Sequence, residues 1–326
     1  MTILVTGGAG YIGSHTAHAL VDAGRRVVVL DNLSTGSRAA LPAAATLVVG
    51  DIGDEAAVSR LLNEHGVEAI VHFAGSIIVP ESVADPLKYY FNNTAHSRTL
   101  IAAAVAAGVK HFIFSSTAAV YGDPAELPVT ETTPTAPLSP YGRSKLMTEM
   151  MLADVAAAHG LRYAALRYFN VAGADPAQRT GQSTPAATHL IKVAVQAALG
   201  RRAGMEVFGT DYPTPDGTCV RDYIHVSDLA RAHADVLGHL ERGGDCVTLN
   251  CGYGHGFSVL EVIETVKRVS GVDFPVKLSP RRPGDPAQIV AASVKVREVL
   301  GWQPQYDDLA TIVAHALAWE RKLAAD

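Results

Sequence analysis

The sequence is poor in cysteine and carries little excess charge of either sign. Only three cysteines occur in 326 residues, Cys219, Cys246 and Cys251, and no two of them form a CxxC pair. A disulfide scaffold and a zinc or redox motif are therefore not indicated, and we expect reduced thiols packed in small core positions. Lys and Arg number 27 against 32 Asp and Glu, for a net charge of −5. Without a basic tract, a nucleic-acid partner is not expected.

Long apolar runs are also missing, although hydrophobic residues make up 48% of the chain. No uninterrupted run approaches the roughly 20 residues that a membrane-spanning helix needs. The first strand, "TILVTG", starts at residue 2 with no charged leader, apolar signal core or cleavage site before it. We expect a cytoplasmic protein without a membrane partner, long enough for one large or two modest domains.

The first 170 residues alternate short β-branched runs with longer alanine-rich stretches, which is typical of a parallel sheet covered by helices on both faces. Helices are predicted near 11–23, 54–65, 85–107 and 141–159. Several strands are apolar almost throughout, as expected when both faces are buried. The candidate strands are "TILVTG", "RVVVLD", "TLVVGD", "AIVHFAG", "HFIFSS" and "YAALRYF". The fold class is therefore α/β, with a Rossmann-type doubly wound parallel sheet over residues 1–172.

Regular alternation stops after residue 172, in a segment rich in Gly, Pro, Gln and Thr. The following segments look like short strands and helices. In "SVLEVIETVKRVSG", Ser258 with Glu261 three residues later is a capping-box signature, and "HALAWERKLA" is typical of a terminal amphipathic helix. We predict a smaller mixed α/β substrate domain over 173–326, with some of its chain crossing back to the first domain.

A glycine-rich turn, "TGGAGYIG", follows the first strand and opens the first helix. Gly7 allows a tight turn, Gly10 lets the backbone approach a pyrophosphate, and Gly13 permits close packing of helix on strand. Free N–H groups at the helix start favour negative charge. Alone this motif is weak evidence, but the strand before it and the helix after it give it the context of a dinucleotide site.

An acidic residue, Asp31, ends the second strand 18 residues after Gly13. It can accept hydrogen bonds from ribose hydroxyls and would repel a 2′-phosphate, which favours NAD over NADP. The alternative is that Asp31 only caps a turn in "DNLSTG". Asp51 and Ile52, which end the third strand, are expected at the adenine edge.

The stretch "SPYGRSK" places Tyr141 and Lys145 one helical turn apart. A tyrosine has a pKa near 10, too high for a base at neutral pH, and a nearby ammonium lowers it. "FSSTAAVYG" places Thr117 at the carboxyl end of the fifth strand, the edge at which open parallel sheets bind ligands. We predict Thr117, Tyr141 and Lys145 as a catalytic set. The alternative for the Tyr–Lys pair alone is an ordinary surface contact.

Taken in this order, these features resemble the extended short-chain dehydrogenase/reductase superfamily. "LDNLSTG", "HFAG", "PESV", "PLKYYFNN", "SPYGRSKLMTE", "LRYFNVAGADP", "FGTDYPTPDGTCVRDYIHVSDLARAH" and "RRPGD" look like the UDP-galactose 4-epimerase family, over essentially the whole chain. The resemblance implies that Tyr141 removes the O4 proton of a UDP-hexose while a hydride leaves C4 for NAD. The 4-keto sugar then turns and receives the hydride on its other face.

The same resemblance implies the contact residues of both ligands. Two arginines can bind a diphosphate through their guanidinium forks, although arginines are also common on surfaces. For the cofactor the implied contacts are Tyr11, Ile12, Asp31, Asn32, Asp51, Ile52, Phe73, Ala74, Gly75, Asn92, Tyr141, Lys145 and Phe169. For the UDP-sugar they are Thr117, Tyr141, Asn170, Arg221, Arg282 and Asp285, with Val207 and Phe208 near the uracil.

Three positions depart from the family pattern. Ile77 stands where a lysine often reaches the cofactor, so NAD could be held less tightly. His189 replaces an asparagine on the diphosphate side and can still donate a hydrogen bond. Ile289 stands where a tyrosine or a small residue gates the sugar pocket, which leaves acceptance of N-acetylhexosamines open.

Several other functions share parts of this sequence pattern. A sugar-nucleotide 4,6-dehydratase needs an acid and a base beside the threonine, but Ala118 and Ala119 stand there. A 4-epimerase of another UDP-sugar, such as a pentose or a uronate, fits the same motifs. A non-catalytic NAD sensor or a simple dehydrogenase that releases NADH is chemically conceivable.

The resemblance also implies a homodimer, formed through a four-helix bundle of the helices at 99–108 and 143–159. The second of these carries Met147, Met150, Met151 and Val155 on neighbouring turns. Such apolar faces pack either on a second subunit or inside the monomer.

Overall fold

A seven-stranded parallel sheet forms the centre of the molecule. The computed structural model describes residues 1–184, 187–282 and 284–325. The strands of the central sheet are β1 (Thr2–Thr6), β2 (Arg26–Asp31), β3 (Thr46–Val49), β4 (Val67–His72), β5 (His111–Thr117), β6 (Arg162–Tyr168) and β11 (Val247–Cys251). Their order in the sheet is β3-β2-β1-β4-β5-β6-β11. The direction of this order reverses between β1 and β4, which opens a crevice at the carboxyl edge there.

Helices cover both faces of this sheet, with a broken helical stretch between β4 and β5. Before β6 they are α1 (Tyr11–Asp22), α2 (Glu55–His65), α3 (Val79–Ala84), α4 (Pro86–Tyr89), α5 (His96–Ala106) and α6 (Pro140–His159). Later in the chain they are α7 (Leu190–Ala198), α8 (Val226–Glu241), α9 (Val259–Ser270), α10 (Val294–Leu300) and α11 (Leu309–Ala325).

The remaining strands form three small sheets. They are β7 (Asn170–Ala172), β8 (Met205–Phe208), β9 (Val220–Arg221), β10 (Tyr223–His225), β12 (Phe257–Ser258), β13 (Val276–Ser279) and β14 (Gln288–Ile289). β7 pairs with β10, β8 pairs with β13, and β9 lies between β12 and β14. These short pairs build the region that faces the carboxyl edge of the central sheet.

Burial explains the unbroken apolar strands. In β1, Ile3 and Val5 join one core cluster while Leu4 joins the cluster on the opposite face, and all three are fully buried. Alternate side chains of a strand point to opposite faces, so a sheet with helices on both sides needs apolar residues at every position. The Rossmann-type parallel sheet predicted from this pattern is confirmed.

The six predicted strands all occur, but the seventh, β11, was not predicted. It comes from the C-terminal part of the chain and pairs in parallel with β6, so chain beyond residue 172 does complete the central sheet. The helix expected over 85–107 is interrupted by a π-helical turn at Tyr90–Ala95. No periodicity in the sequence signals such an insertion, which adds one residue to the turn.

Two local expectations meet different outcomes. The capping box of α9 is present, because the Ser258 hydroxyl accepts from the Glu261 N–H and the Glu261 carboxylate accepts from the Ser258 N–H. All three cysteines are free, but only Cys219 and Cys251 are buried. Core packing was wrong for Cys246, which lies exposed just before β11. In the described parts of the chain, no helix is both long and apolar enough to cross a membrane.

Candidate active site

The glycine turn between β1 and α1 is shaped by close backbone contacts. Gly7 has φ +66°, and a Cβ added there would lie 2.6 Å from the Ala74 amide nitrogen at the end of β4. A Cβ on Gly13 would lie 2.3 Å from the Gly7 carbonyl oxygen. Gly10 precedes α1 without any side-chain cap, so the N–H groups of the first turn stay available for an anion. The cradle therefore fits a dinucleotide pyrophosphate.

Asp31 holds this turn in place from the end of β2. Its carboxylate accepts from the Ala9 N–H at 2.9 Å and from the Leu33 N–H at 2.8 Å, and the residue is only 8% exposed. The turn-capping alternative accounts for the second bond but not for the first. A carboxylate has about four acceptor positions, so two remain for ribose hydroxyls.

The residues predicted for the adenine edge lie close together at the carboxyl ends of β2 and β3. Asn32 Nδ2 donates to Asp51 at 3.0 Å, and Asp51 also accepts from the Gly53 N–H at 2.8 Å. The His96 imidazole lies 3.1 Å from the same carboxylate and packs against the Phe91 ring, with centroids 4.5 Å apart. The adjacent Ile52 side chain is buried. His96 was not predicted, because it reaches this edge from α5.

The segment after β4 meets α6, the helix that carries Tyr141 and Lys145. A Cβ on Gly75 would lie 3.1 Å from Asn93 Oδ1 and 3.7 Å from Lys145 Nζ. Asn93 Oδ1 accepts from the Ser76 N–H at 2.8 Å, and Asn92 Nδ2 donates to Ser76 Oγ at 2.9 Å. The sequence motifs "HFAG" and "FNN" are thus brought together with Lys145. The neighbouring Phe73 ring packs on His233 with centroids 4.8 Å apart.

The helix α6 begins at Pro140, after Ser139, whose hydroxyl accepts from the Gly142 N–H at 3.1 Å. It buries both Tyr141 and Lys145 at the carboxyl edge of β5. Burial raises the pKa of Tyr141, and a hydrogen bond with Thr117 acts in the opposite direction. This link brings Thr117 and Tyr141 together, as predicted for two of the three catalytic residues.

Lys145 is held by β5. Its ammonium donates to the Ser115 carbonyl at 2.9 Å and lies 4.9 Å from the centroid of the Phe114 ring. Burial lowers the pKa of Lys145 to about 8, while the negative charge of Glu149 raises it. The predicted charge one helical turn from Tyr141 is thus present, and its ammonium hydrogen-bonds to a backbone carbonyl of β5.

Four of the residues predicted to bind the UDP-sugar, Phe208, Arg221, Asn170 and Ile289, lie on the small sheets. Phe208, at the end of β8, packs against the Arg282 guanidinium at 4.7 Å, and Arg282 pairs with Asp285 at 2.9 Å. Arg221 in β9 lies opposite Ile289 in β14. In β7, Asn170 pairs with Tyr223 of β10.

Val207 and His189, which were also predicted to bind the substrate, have different surroundings. Val207 is only 1% exposed and its side chain belongs to the main core cluster, so a contact with a uracil would have to come from its backbone. His189 precedes α7 and lines a cavity of about 30 Å³ together with Tyr11, Asn170 and Trp319. Partial loss of water around its imidazole, and then the positive charge of Lys192, lower the pKa of His189. We therefore expect it to be neutral at pH 7.

A small core cluster contains Phe169 and Ile289 together with Ala118 and Tyr121. Ile289 is only 7% exposed, so it is packed rather than free to move. By contrast, Ile77 is half exposed and adds no charge where the family pattern often has a lysine.

One residue that organises this region escaped sequence reasoning. Asp222, between β9 and β10, is fully buried and accepts from the N–H groups of Tyr253, Gly254 and Ala291. It thereby fixes the segment that carries Ile289. Its only sequence signal is the carboxylate that follows Arg221 in "VRDY".

Fold and site together define the class of protein. A dinucleotide cradle at the strand-order reversal, with a buried Tyr–Lys helix beside it, characterises the short-chain dehydrogenase/reductase superfamily. The model of the NAD dependent epimerase/dehydratase family matches residues 3–252. The chain belongs to this family, and its cofactor is NAD.

Individual relatives agree. A UDP-glucose 4-epimerase of Azospirillum brasilense is 61% identical over 321 residues, covering 98% of this chain and 92% of its own. The crystal structure of UDP-glucose 4-epimerase from Brucella ovis in complex with NAD is similar, with TM-score 0.94 and 46% identity over 97% of each chain. The enzyme from Bifidobacterium longum in complex with NAD+ and UDP has TM-score 0.94 and 40% identity, covering 99% of this chain and 98% of its own.

Replacing Asp31 by Ala should weaken NAD binding by about 10- to 100-fold, since hydrogen bonds to charged groups contribute about 1.5–3 kcal/mol each. The measurement is NAD retained per protein after dialysis, followed by titration with added NAD. Asp54→Ala is the matched control, because Asp54 also accepts a backbone N–H, at the start of α2. Equal NAD loss in both variants would contradict a specific role for Asp31.

Proposed function

We propose that this protein interconverts UDP-galactose and UDP-glucose by epimerisation at C4. The observation that carries the proposal is the convergence of Thr117, Tyr141 and Lys145 at the carboxyl edge of β5, beside the glycine cradle. Relatives named UDP-glucose 4-epimerase match nearly the whole chain, which supports the same reaction here.

Bound NAD would supply a hydride acceptor and donor next to the sugar C4. The residues proposed to hold it are the cradle Gly7, Gly10 and Gly13, with Tyr11 and Ile12 at the start of α1. The others are Asp31, Asn32, Asp51, Ile52, Phe73, Ala74, Gly75, Asn92, Tyr141, Lys145 and Phe169. Ile77 is half exposed and carries no charge, so it would add no ionic contact to NAD at this position.

Tyr141 is proposed to take the O4 proton as C4 is oxidised and to return it as C4 is reduced. A buried phenol is a poor base on its own, because burial raises its pKa. The Thr117 hydrogen bond and the positive charge of Lys145 both favour the phenolate. Because the same group removes and restores one proton, the reaction needs no solvent proton.

The UDP part would be held away from this chemistry. Arg221 and Arg282 offer guanidinium groups to the diphosphate, and Phe208 offers a ring to the uracil. Asn170, His189 and Asp285 would complete the set, with Ile289 beside the sugar. We propose that residues 1–172 bind NAD and residues 173–326 bind the UDP-sugar, apart from α8 and β11, which pack on the first part.

The rival functions are weaker on the same observations. A dehydratase would need proton carriers directly after Thr117, and Ala118 and Ala119 provide none. A non-catalytic sensor would not require a buried phenol, hydroxyl and ammonium in one place. Other UDP-sugars remain alternatives that substrate assays separate.

Tyr141→Phe should reduce turnover by about 10²- to 10⁴-fold, the usual contribution of a positioned acid–base group. Conversion of UDP-galactose to UDP-glucose is followed by proton NMR, first without added NAD and then with it. UDP binding, measured by calorimetry, should stay unchanged. Tyr163→Phe is the control, since this half-buried phenol lies at the start of β6. Wild-type turnover in Tyr141→Phe would show that another group is the base.

A separate outcome tests the reaction itself. Wild-type protein that forms UDP-glucose without added NAD both epimerises and retains its cofactor. If it stays silent with NAD as well, another UDP-sugar is the better substrate. A 4-keto-6-deoxy product from a dTDP- or GDP-hexose would revive the dehydratase.

Ile289→Tyr should suppress activity on a UDP-N-acetylhexosamine at least tenfold more than activity on UDP-galactose, because the larger ring narrows the space near the acetamido group. The ratio of the two kcat/KM values is the measurement. Ile289→Val keeps the shape with less bulk and serves as its control. Equal losses on both sugars would mean that residue 289 acts through packing with Phe169 and does not gate the pocket.

We propose that the protein is a homodimer that works in the cytoplasm, where charged nucleotides reach it without crossing a membrane. An exposed apolar patch on α6 and on the segments that pack against it supports a dimer, and we call it the α6 apolar face. Its side chains are 41–76% exposed and are those of Val83, Leu87, Phe91, Met147 and Met150. Exposed patches of this kind mark association sites. Leu100, Ile101, Ala103 and Ala104 in α5 are instead buried within the monomer.

Leu87→Glu should convert the dimer to monomers, because a charge at the most exposed position of the α6 apolar face opposes its burial. Mass is measured by size-exclusion chromatography with light scattering. Val294→Glu, at an apolar site on α10 that is 61% exposed, should leave the mass unchanged. A monomeric wild type would reject the proposed assembly.

A further inference from the structure

A buried, hydrogen-bonded ion pair connects α6, the helix that carries Tyr141 and Lys145, to β6. Glu149 and Arg167 contact each other at 2.6 Å through Nη2, with further bonds from Arg167 Nε at 3.0 and 3.2 Å. Each side chain is only 8% exposed. The Ser116 hydroxyl also donates to Glu149. The carboxylate therefore joins α6 to β5 at the residue before Thr117, and to β6 through Arg167.

The pair continues into the region that carries the sugar pocket. Arg167 Nη1 donates to the Tyr121 phenol at 3.0 Å, and that phenol donates to Asn250 at 2.7 Å. Asn250 Nδ2 donates to the Val129 carbonyl at 3.0 Å. Backbone bonds then join Val129 to Val290, next to Ile289. One chain of hydrogen bonds thus links the catalytic helix to the pocket wall.

The spacing along α6 is the second observation. Tyr141, Lys145 and Glu149 stand at i, i+4 and i+8, so they lie on one face of the helix, one turn apart. Lys145 lies between the phenol and the carboxylate. No bulk water shields these groups, because all three are at least nine-tenths buried. Charges act strongly at such short range in a buried site.

The other groups that face Lys145 do not supply a negative charge. From β4, His72 is neutral, because burial and the Lys145 charge lower its pKa to about 3. From β5 come the Ser115 carbonyl and the Phe114 ring. From β6, Arg167 is cationic, and burial keeps the Tyr168 phenol protonated by raising its pKa.

A buried ion pair of this kind is weak evidence for stability alone, because desolvation offsets much of its attraction. Its position is more informative. We infer that Glu149 is a positioning residue of the epimerase reaction, which keeps Lys145 charged and fixes the β5 edge that carries Thr117, with Arg167 holding the carboxylate in place. This inference rests on the proposed function.

The sign of the effect follows from the charges. Lys145 is an ammonium at any pH below its pKa. Burial lowers this pKa to about 8, and the negative charge of Glu149 limits the decrease. Removing that charge lowers the pKa further, and the unpaired Arg167 cation acts in the same direction. The alkaline limb of activity, where Lys145 loses its proton, must then move to lower pH.

The test is the pH profile of kcat for wild type, Glu149→Gln and Glu149→Asp, with UDP-galactose and saturating NAD. Glutamine keeps the shape and the acceptor but removes the charge. We expect its alkaline limb to fall by about one pH unit, the lower range for a nearby opposite charge. Aspartate retains the charge and should restore most of the limb.

Two further variants separate this role from loss of folding. Glu149→Gln/Arg167→Gln leaves no unpaired cation and should shift the limb in the same direction by a smaller amount. Asp228→Asn is the matched control, because Asp228 in α8 is a fully buried carboxylate bonded to Arg231 and the Tyr253 phenol. It should lose stability while keeping the wild-type profile.

A Glu149→Gln profile that is lower in amplitude but unmoved in pH would overturn the inference, as would an equal shift in Asp228→Asn. If Glu149→Gln does not fold, the double variant decides by the same criterion. A wild type inactive on UDP-galactose would count against the proposed function only. The pH at which NAD is released from the same variants would then test the role of Glu149.

Discussion

The backbone contact between the first turn and the end of β4 is the constraint on which the site depends. Gly7 and Ala74 approach so closely that even a methyl group would not fit between them. This contact sets the depth of the cradle, and Asp31 secures it from β2 by holding the Ala9 N–H. The β4 end then leads into Gly75, which passes next to Lys145. Cofactor cradle and catalytic helix are therefore positioned by one junction.

Buried charge is the second organising feature. The protein interior around α6 holds an ammonium, a carboxylate and a guanidinium, each with little exposure. Such groups are costly unless each has partners, and here each one does. Lys145 donates to a carbonyl, and Arg167 satisfies both Glu149 and the Tyr121 phenol. The arrangement resists small shifts, since moving one member would leave another unpaired.

The sequence predicts what depends on local pattern and misses what depends on distant contacts. Strands β1 to β6, the start of α6 at Pro140 and the α9 capping box follow from periodicity and capping chemistry within a few residues. β11 could not be predicted, because a short strand is recognised only by its partner β6. The π-helical turn at Tyr90–Ala95 is similar, since Asn93 is satisfied by Ser76 and Ser144 from other elements.

The same distinction applies within the site. Tyr141 and Lys145 are visible in the sequence because both lie on one helix, whereas Glu149 on that helix gains meaning only when β6 brings Arg167 beside it. Val207 shows the converse, since the resemblance implies a place near the uracil, whereas the burial of its side chain in the main core cluster follows from distant packing. Most of the residues proposed to bind the UDP-sugar lie on or beside two- to four-residue strands, which are held by backbone pairing and, around β9 and β14, by Asp222. By contrast, Thr117, Tyr141 and Lys145 lie on the long elements β5 and α6, and the hydrogen bonds from Arg167 through Tyr121 and Asn250 couple these elements to the short strands.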